Sequence, residues 1–183
     1  MTKLEKKAQE LTSEGELRLA YHKLAQARVL GEKKFGKTYP DVMLILAKMA
    51  ALALRLENND LALELAVEGI KRDPKLKFNY FFQAIALERK KQRIAAIEAL
   101  EIAIECDSSY SDALIKIVEL WIEVARATAE KKQPERVKIL ILTIEEFIDD
   151  LKNWQPSNYD DKLIERYERE KKEFMNTHGC GYL

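Results

Sequence analysis

Glycine and proline are scarce in this chain, six and four residues among 183, which leaves little material for long loops. No low-complexity linker fits such a composition, and an almost entirely helical, ordered chain is expected. Cysteine is scarcer still. Cys106 and Cys180 stand too far apart in sequence to form a metal or redox motif, so no metal and no cofactor are expected, and a reducing, cytoplasmic setting is. Net charge is missing as well, because Lys plus Arg and Asp plus Glu both number 31. Without a whole-molecule field, neither nucleic acid nor an anionic membrane is an expected partner. No apolar run approaches the length of about 18 residues that a membrane-spanning helix needs, so membrane insertion is not expected. Lys3, Lys6 and Lys7 near the start have no apolar run behind them, which does not read as a signal peptide.

What the chain has instead is apolar residues held in register. Ala50 and Ala84, Ala62 and Ala96, Gly69 and Ala103, Ile70 and Ile104, and Asp73 and Asp107 are each 34 residues apart. Small residues at a fixed period mark places where two helices cross closely, since a bulky side chain there would force the backbones apart. Over 77–110, a first helix carries Tyr80, Ala84 and Leu87 and a second carries Ala96, Leu100 and Ala103. Over 43–76, Leu46, Ala50 and Ala53 are followed by Ala62, Ala66 and Gly69, closed by Asp73 and Pro74. Ser108 stands where the next repeat would place its proline, and Ser108, Ser109 and Ser111 are expected to cap the helix that follows.

The first pair repeats the pattern as Leu4, Ala8, Leu11, then Ala20, Leu24 and Ala27, the last three lying 42 residues before Ala62, Ala66 and Gly69. Eight extra residues, 35–42, therefore separate it from the second pair. A fourth pair is less regular. Leu114, Ile117, Val118 and Trp121 continue the first-helix face, and 127–133 lengthens that helix before Pro134 opens another. This last one carries Val137, Leu140, Ile141, Ile144, Phe147, Ile148 and Leu151, a broad apolar stripe without small residues. Ser157 with Asp160 reads as a further helix start, and Tyr159, Leu163, Tyr167 and Phe174 would line one side of a final cap.

This pattern resembles the tetratricopeptide repeat, a 34-residue helix–turn–helix unit. The run GEKKFGKTYPDV at 31–42 resembles the lengthened inter-repeat turn of kinesin-light-chain-type repeats, where a Gly is followed shortly by the Pro-Asp-Val that begins the next helix. The resemblance implies an all-α fold, a right-handed superhelix of about four repeats. They would fall at 1–42, 43–76, 77–110 and 111–152 in an array over 1–156, with a capping helix and short tail at 157–183. It also implies a concave groove lined by the first helix of each pair.

Carried over by register, the groove residues would be Leu44, Ala47, Ala51, Leu54 and Arg55 in the second repeat, Phe78, Phe81, Ile85, Glu88 and Arg89 in the third, and Asp112, Ile115, Glu119, Ile122 and Glu123 in the fourth. Apolar residues would anchor the partner at the centre, and Arg55, Arg89 and Lys48 would orient its acidic groups. Phe78, Phe81 and Phe82 suggest an aromatic wall for an apolar peptide or amphipathic helix, with core packing as the other reading. Relatives that grip chaperone C-termini use Lys, Asn and Arg at fixed groove positions. This chain offers Glu5, Gln9, Lys48, Phe78 and Phe82 in one frame and Ala47, Ala51, Phe82, Asp112 and Lys116 in the other, so no such clamp is expected.

No catalytic motif is present. There is no glycine-rich phosphate loop, no Gly-x-Ser-x-Gly and no His-Glu-x-x-His. His22 has no ligand partner at helical spacing, and His178 with Cys180 supplies two ligands where a closed zinc site wants about four. Glu145 with Glu146 and Asp149 with Asp150 read as a solvated helix face, and the basic run Arg89, Lys90, Lys91, Arg93 as a solvated turn. The expected function is thus non-enzymatic: a scaffold or adaptor module with a protein or peptide partner. The alternatives are a small cytosolic chaperone for a secreted or membrane-destined client, and a structural subunit that self-associates as a homo-oligomer through its C-terminal part.

Overall fold

In a computed structural model, residues 2–131 and 133–154 are described, together with 165, 167–169, 171 and 172. Among them there is no strand. The helices are, in order, α1 (Lys3–Ser13), α2 (Leu17–Phe35), α3 (Pro40–Arg55), α4 (Asn59–Arg72), α5 (Lys77–Arg89), α6 (Arg93–Cys106), α7 (Ser111–Glu130) and α8 (Pro134–Trp154). They divide into two compact units, Met1–Cys106 and Asp107–Leu183.

Unit 1 holds three helix–turn–helix pairs. Each helix packs on the next, and α3 also packs on α5, so the first helices of the second and third pairs lie side by side. The alanines of the 34-residue register are where the sequence needs them. Ala20, Ala50 and Ala62 are wholly buried, as are Ala96 and Ala103, with Ala84 nearly so. The absence of a side chain beyond Cβ is what lets these backbones meet.

The three turns inside these pairs share one geometry. Gly15, Glu57 and Lys91 all take positive φ, at 83°, 60° and 62°. In each case the N–H of the next residue reaches back into the last turn of the helix: Glu16 to the Leu11 carbonyl, Asn58 to Ala53 and Gln92 to Leu87, at 2.8, 2.9 and 2.9 Å. These are Schellman ends, which satisfy carbonyls left over at a helix C-terminus. The turns between pairs also repeat. The Asp73 carboxylate accepts from the Lys75 N–H and the Asp107 carboxylate from the Ser109 N–H, both at 3.0 Å. Tyr110, not a serine, occupies the N-cap of α7, and it makes no side-chain capping bond. The Ser109 hydroxyl is turned instead to the Asp107 carboxylate, to which it donates at 2.7 Å.

The eight inserted residues are not one long turn. α2 runs 19 residues where α4 and α6 run 14, and α3 runs 16 where α5 runs 13, so the insertion is extra helix on both sides, and the turn at 36–39 is as short as that at 73–76. Gly31 sits inside α2 against α3, where a Cβ would meet the Val42 side chain at 2.9 Å. The lengthened α2 is tied to α4 by a closed set of charges. Arg28 contacts Glu32 at 2.9 Å and Glu68 at 2.5 Å, and Arg72 contacts Glu32 at 2.6 Å and also Glu68.

In unit 2, α8 packs along α7. Val137, Ile141, Ile144 and Ile148 form its buried stripe, spaced four, three and four residues apart. α7 buries Ala113, Ala125 and Ala129, so the small residues missing from α8 are supplied by its partner helix. The described part of the C-terminal segment lies on α8: Tyr167 is buried and donates to the Ile141 carbonyl at 3.3 Å, and Lys171 pairs with Glu145. Burial, followed by the nearby Glu145 and Glu168 charges, raises the Tyr167 phenol well above its ordinary range. The expected helix start at Ser157 and Asp160, the face at Tyr159, Leu163 and Phe174, and the pair His178 and Cys180 lie outside the described residues.

Candidate functional site

α3 is apolar almost all round. From Val42 to its end it buries ten residues, and those left in contact with solvent are Leu44, Lys48, Ala51 and Arg55. Their spacing of four, three and four places them on one narrow stripe. Three of the five positions that register assigns to a groove on this helix, Leu44, Ala51 and Arg55, are therefore accessible, and Lys48 lies among them. Ala47 and Leu54 are not, being buried at 3% and 5% exposure, because each is turned about one residue's rotation from the stripe toward packed neighbours.

On α5, Phe78, Phe81 and Ile85 are half-buried and line up at helical spacing. Phe81 meets Phe82 edge to face with ring centres 5.7 Å apart, and the Lys77 ammonium sits 5.4 Å from the Phe78 ring. Phe82 and Ile85 pack against the unit 1 core, so these two side chains are partly committed to the fold. Arg89 is committed further: its guanidinium donates to the Leu54 carbonyl at the end of α3. Lys90, the next residue of the basic run, pairs with Asp60 of α4. From sequence this run reads as a solvated turn; in the fold its residues are exposed, and Arg89 and Lys90 also reach back one repeat.

Between α1 and α3 opens a pocket of about 330 Å³, lined by Glu5, Ala8, Gln9, Thr12, Leu24, Lys48, Ala51, Leu52 and Arg55. Three members of the α3 stripe belong to it. Its floor is apolar, and its wall is an ion pair, with the Lys48 ammonium 3.0 Å from Glu5. Glu5 is held from three sides. It closes a capping box at the start of α1, accepting from the Thr2 N–H at 2.8 Å while its own N–H donates to the Thr2 hydroxyl at 3.2 Å. Burial alone would raise its pKa, but the Thr2 and Lys48 hydrogen bonds and the Lys48 charge together hold it below the ordinary value. Thr12 turns its hydroxyl to the Ala8 carbonyl at 2.7 Å. Arg55, by contrast, is exposed and makes no hydrogen bond or ion pair among the described residues. Glu5 and Gln9 fall outside the register-derived site; carrying the register one pair further back to α1 is the signal that reaches them.

In unit 2, Asp112 is exposed at the start of α7, Ile115 and Glu119 are half-buried along it, and Ile122 is fully buried. Lys116 donates to Glu119 at 3.1 Å. Among the described residues no cluster of His, Cys, Asp and Glu could hold a metal ion, and no helix is long and apolar enough to cross a membrane. His22 is exposed, and Cys106 is an exposed free thiol whose pKa is raised by partial burial and by the nearby Glu105 and Asp73 charges.

No protein-family model and no curated protein matches the chain. Solved structures match it in fold. The kinesin light chain TPR-like repeats of Podosopora anserina align over 95% of this chain and 94% of their own, with a TM-score of 0.57 and 14% identity. A thermophilic TPR protein of Thermus thermophilus aligns over 91% and 96%, with a TM-score of 0.53 and 17% identity. YrrB, described as a TPR protein with an unusual peptide-binding site, aligns over 91% and 90%, with a TM-score of 0.51 and 15% identity. At such identities the likeness is one of fold, and the fold of this chain is the all-helical tetratricopeptide repeat fold.

Proposed function

We propose that this chain is a protein-interaction module and not an enzyme, and that it takes a peptide or helix of a partner on the surface shared by α3 and α5. The observation that carries this reading is the α3 stripe. A helix buried on every other side keeps Leu44, Lys48, Ala51 and Arg55 accessible, beside the half-buried Phe78, Phe81 and Ile85 of the helix packed against it. Apolar anchors ringed by a few cations suit a partner segment that is apolar with acidic flanks. The peptide-binding site of YrrB supports this use of the fold without fixing the residues. Within unit 2, Asp112, Ile115 and Glu119 of α7 would offer a partner acidic and apolar groups of their own.

The test is affinity capture from an extract of the cells that make the protein, comparing the wild type with Phe78→Ala/Phe81→Ala and with Arg55→Glu. Both variants are expected to keep the helical circular dichroism signal and to lose the specific partner. Arg89→Glu is expected to behave differently and to lower the melting temperature, since it removes the donor to the Leu54 carbonyl. If both surface variants retain the same captured proteins as the wild type, the binding surface lies elsewhere.

A further inference from the structure

The pocket between α1 and α3 has an uneven charge balance that says what it accepts. Of its three charged side chains, Glu5 and Lys48 neutralise each other across the wall, and Glu5 is additionally held by Thr2. Arg55 has no partner among the described residues. The pocket therefore presents one uncompensated positive charge at the edge of a floor made of Ala8, Leu24, Ala51 and Leu52. A guanidinium beside apolar surface is well suited to a single carboxylate, which it can hold through two parallel hydrogen bonds. A volume of about 330 Å³ lies at the small end of ligand pockets, room for one side-chain anchor and not for a large cofactor.

From this arrangement, and resting on the interaction-module reading above, we infer that the pocket is the anchor site for a partner segment in which one apolar side chain stands next to one carboxylate side chain. The apolar group fills the floor, and the carboxylate meets Arg55. The segment is internal to the partner and not its C-terminus. A second, shallower depression lined by Lys6, Gln9, Glu10 and Ser13 adjoins the pocket at Gln9, so a chain entering the pocket has a polar path along α1 by which to continue. Gln9, which both depressions share, offers an amide donor and acceptor for the backbone of that chain.

The probe is a pair of blocked peptides, acetyl-Gly-Leu-Glu-Gly-amide and acetyl-Gly-Leu-Gln-Gly-amide, titrated into the full chain while the methyl resonances of Ala8, Leu24, Ala51 and Leu52 are followed. A third peptide, acetyl-Gly-Leu with a free C-terminal carboxylate, separates an internal acidic side chain from a chain end. The glutamate peptide is expected to shift these methyls and to bind roughly tenfold more tightly than the glutamine peptide, the worth of one charge-assisted contact. Arg55→Gln is expected to erase that difference, and Arg55→Lys to restore part of it. Equal binding of the glutamate and glutamine peptides, tighter binding of the free-carboxylate peptide, or silence of all four methyls overturns the proposal. Shifts confined to the Phe78 and Phe81 side would overturn it as well, while leaving the broader groove reading standing.

Discussion

Single residues in this chain carry constraints that the repeat pattern does not express. Gly69 reads from sequence as one more small residue at a crossing. Its neighbour shows a stricter demand: a Cβ there would lie 2.5 Å from the Asn79 side chain, which is itself fully buried. The Asn79 amide nitrogen and oxygen find no partner among the described residues. Gly69→Ala should gain about 1 kcal/mol of helix propensity. The overpacking should cost about 1–3 kcal/mol and win. The sign is expected to reverse in an Asn79→Ala background, where the clash is gone and only the propensity gain remains. A double-mutant cycle read by urea denaturation checks this, and a Gly69→Ala cost unaffected by residue 79 would refute it.

At the scale of elements, what was legible and what was not divides by the reach of the side chains involved. The Ala84 and Ala96 crossing, the Ala50 and Ala62 crossing and the helix limits around them follow from local spacing, because a small residue acts on the backbone beside it. The insertion at 35–42 was legible as a change of register but not as a longer α2 and α3, since a count of residues cannot say whether extra ones join a helix or a loop. Arg89 and Lys90 escape a local reading because their guanidinium and ammonium groups act on α3 and α4, at least 30 positions away.

The turn residues Glu57 and Lys91 were invisible for another reason. They take the left-handed conformation that Gly15 takes at the same register, yet neither is glycine. A non-glycine residue there costs about 1–2 kcal/mol, against an unfolded-chain entropy gain of about 0.4–1 kcal/mol for avoiding glycine. Glu57→Gly and Lys91→Gly are therefore each expected to stabilise the protein by about 0.5–1 kcal/mol, and additively, since they sit in different turns. Thermal melts of the two single variants and the double would show it; a loss of stability in either would mean that the side chain makes a compensating contact.

For the molecule as a whole, Lys plus Arg and Asp plus Glu balance at neutral pH, so general repulsion is small there and grows only as carboxylates protonate in acid. Two carboxylates in unit 1 add a specific contribution to acid sensitivity. Burial works to raise the pKa of Glu5 and of Glu32, but their hydrogen bonds and cationic partners, Lys48 for the first and Arg28 with Arg72 for the second, bring both below the ordinary 4.5. Each therefore binds its proton more weakly folded than unfolded. The stability they contribute is complete above the unfolded value and is lost as pH falls below it through the folded value. Unit 1 is expected to resist denaturant well at about pH 6 and to weaken steeply toward about pH 3, with Glu5→Gln flattening that slope. Hydrogen exchange at α1, α2 and α3 over that range measures it, and an unchanged slope in the Gln variant would count against Glu5.

The same α3 that supports the core offers solvent only a four-residue stripe beyond its first turn. Substitutions along its packed faces are paid for in folding, whereas changes at Leu44, Ala51 and Arg55 leave the packing largely intact and only Lys48 is also bound to a buried partner, Glu5. If this stripe is the partner surface proposed above, descendants of the chain could exchange one partner for another by rewriting those positions, with little loss of the scaffold that presents them.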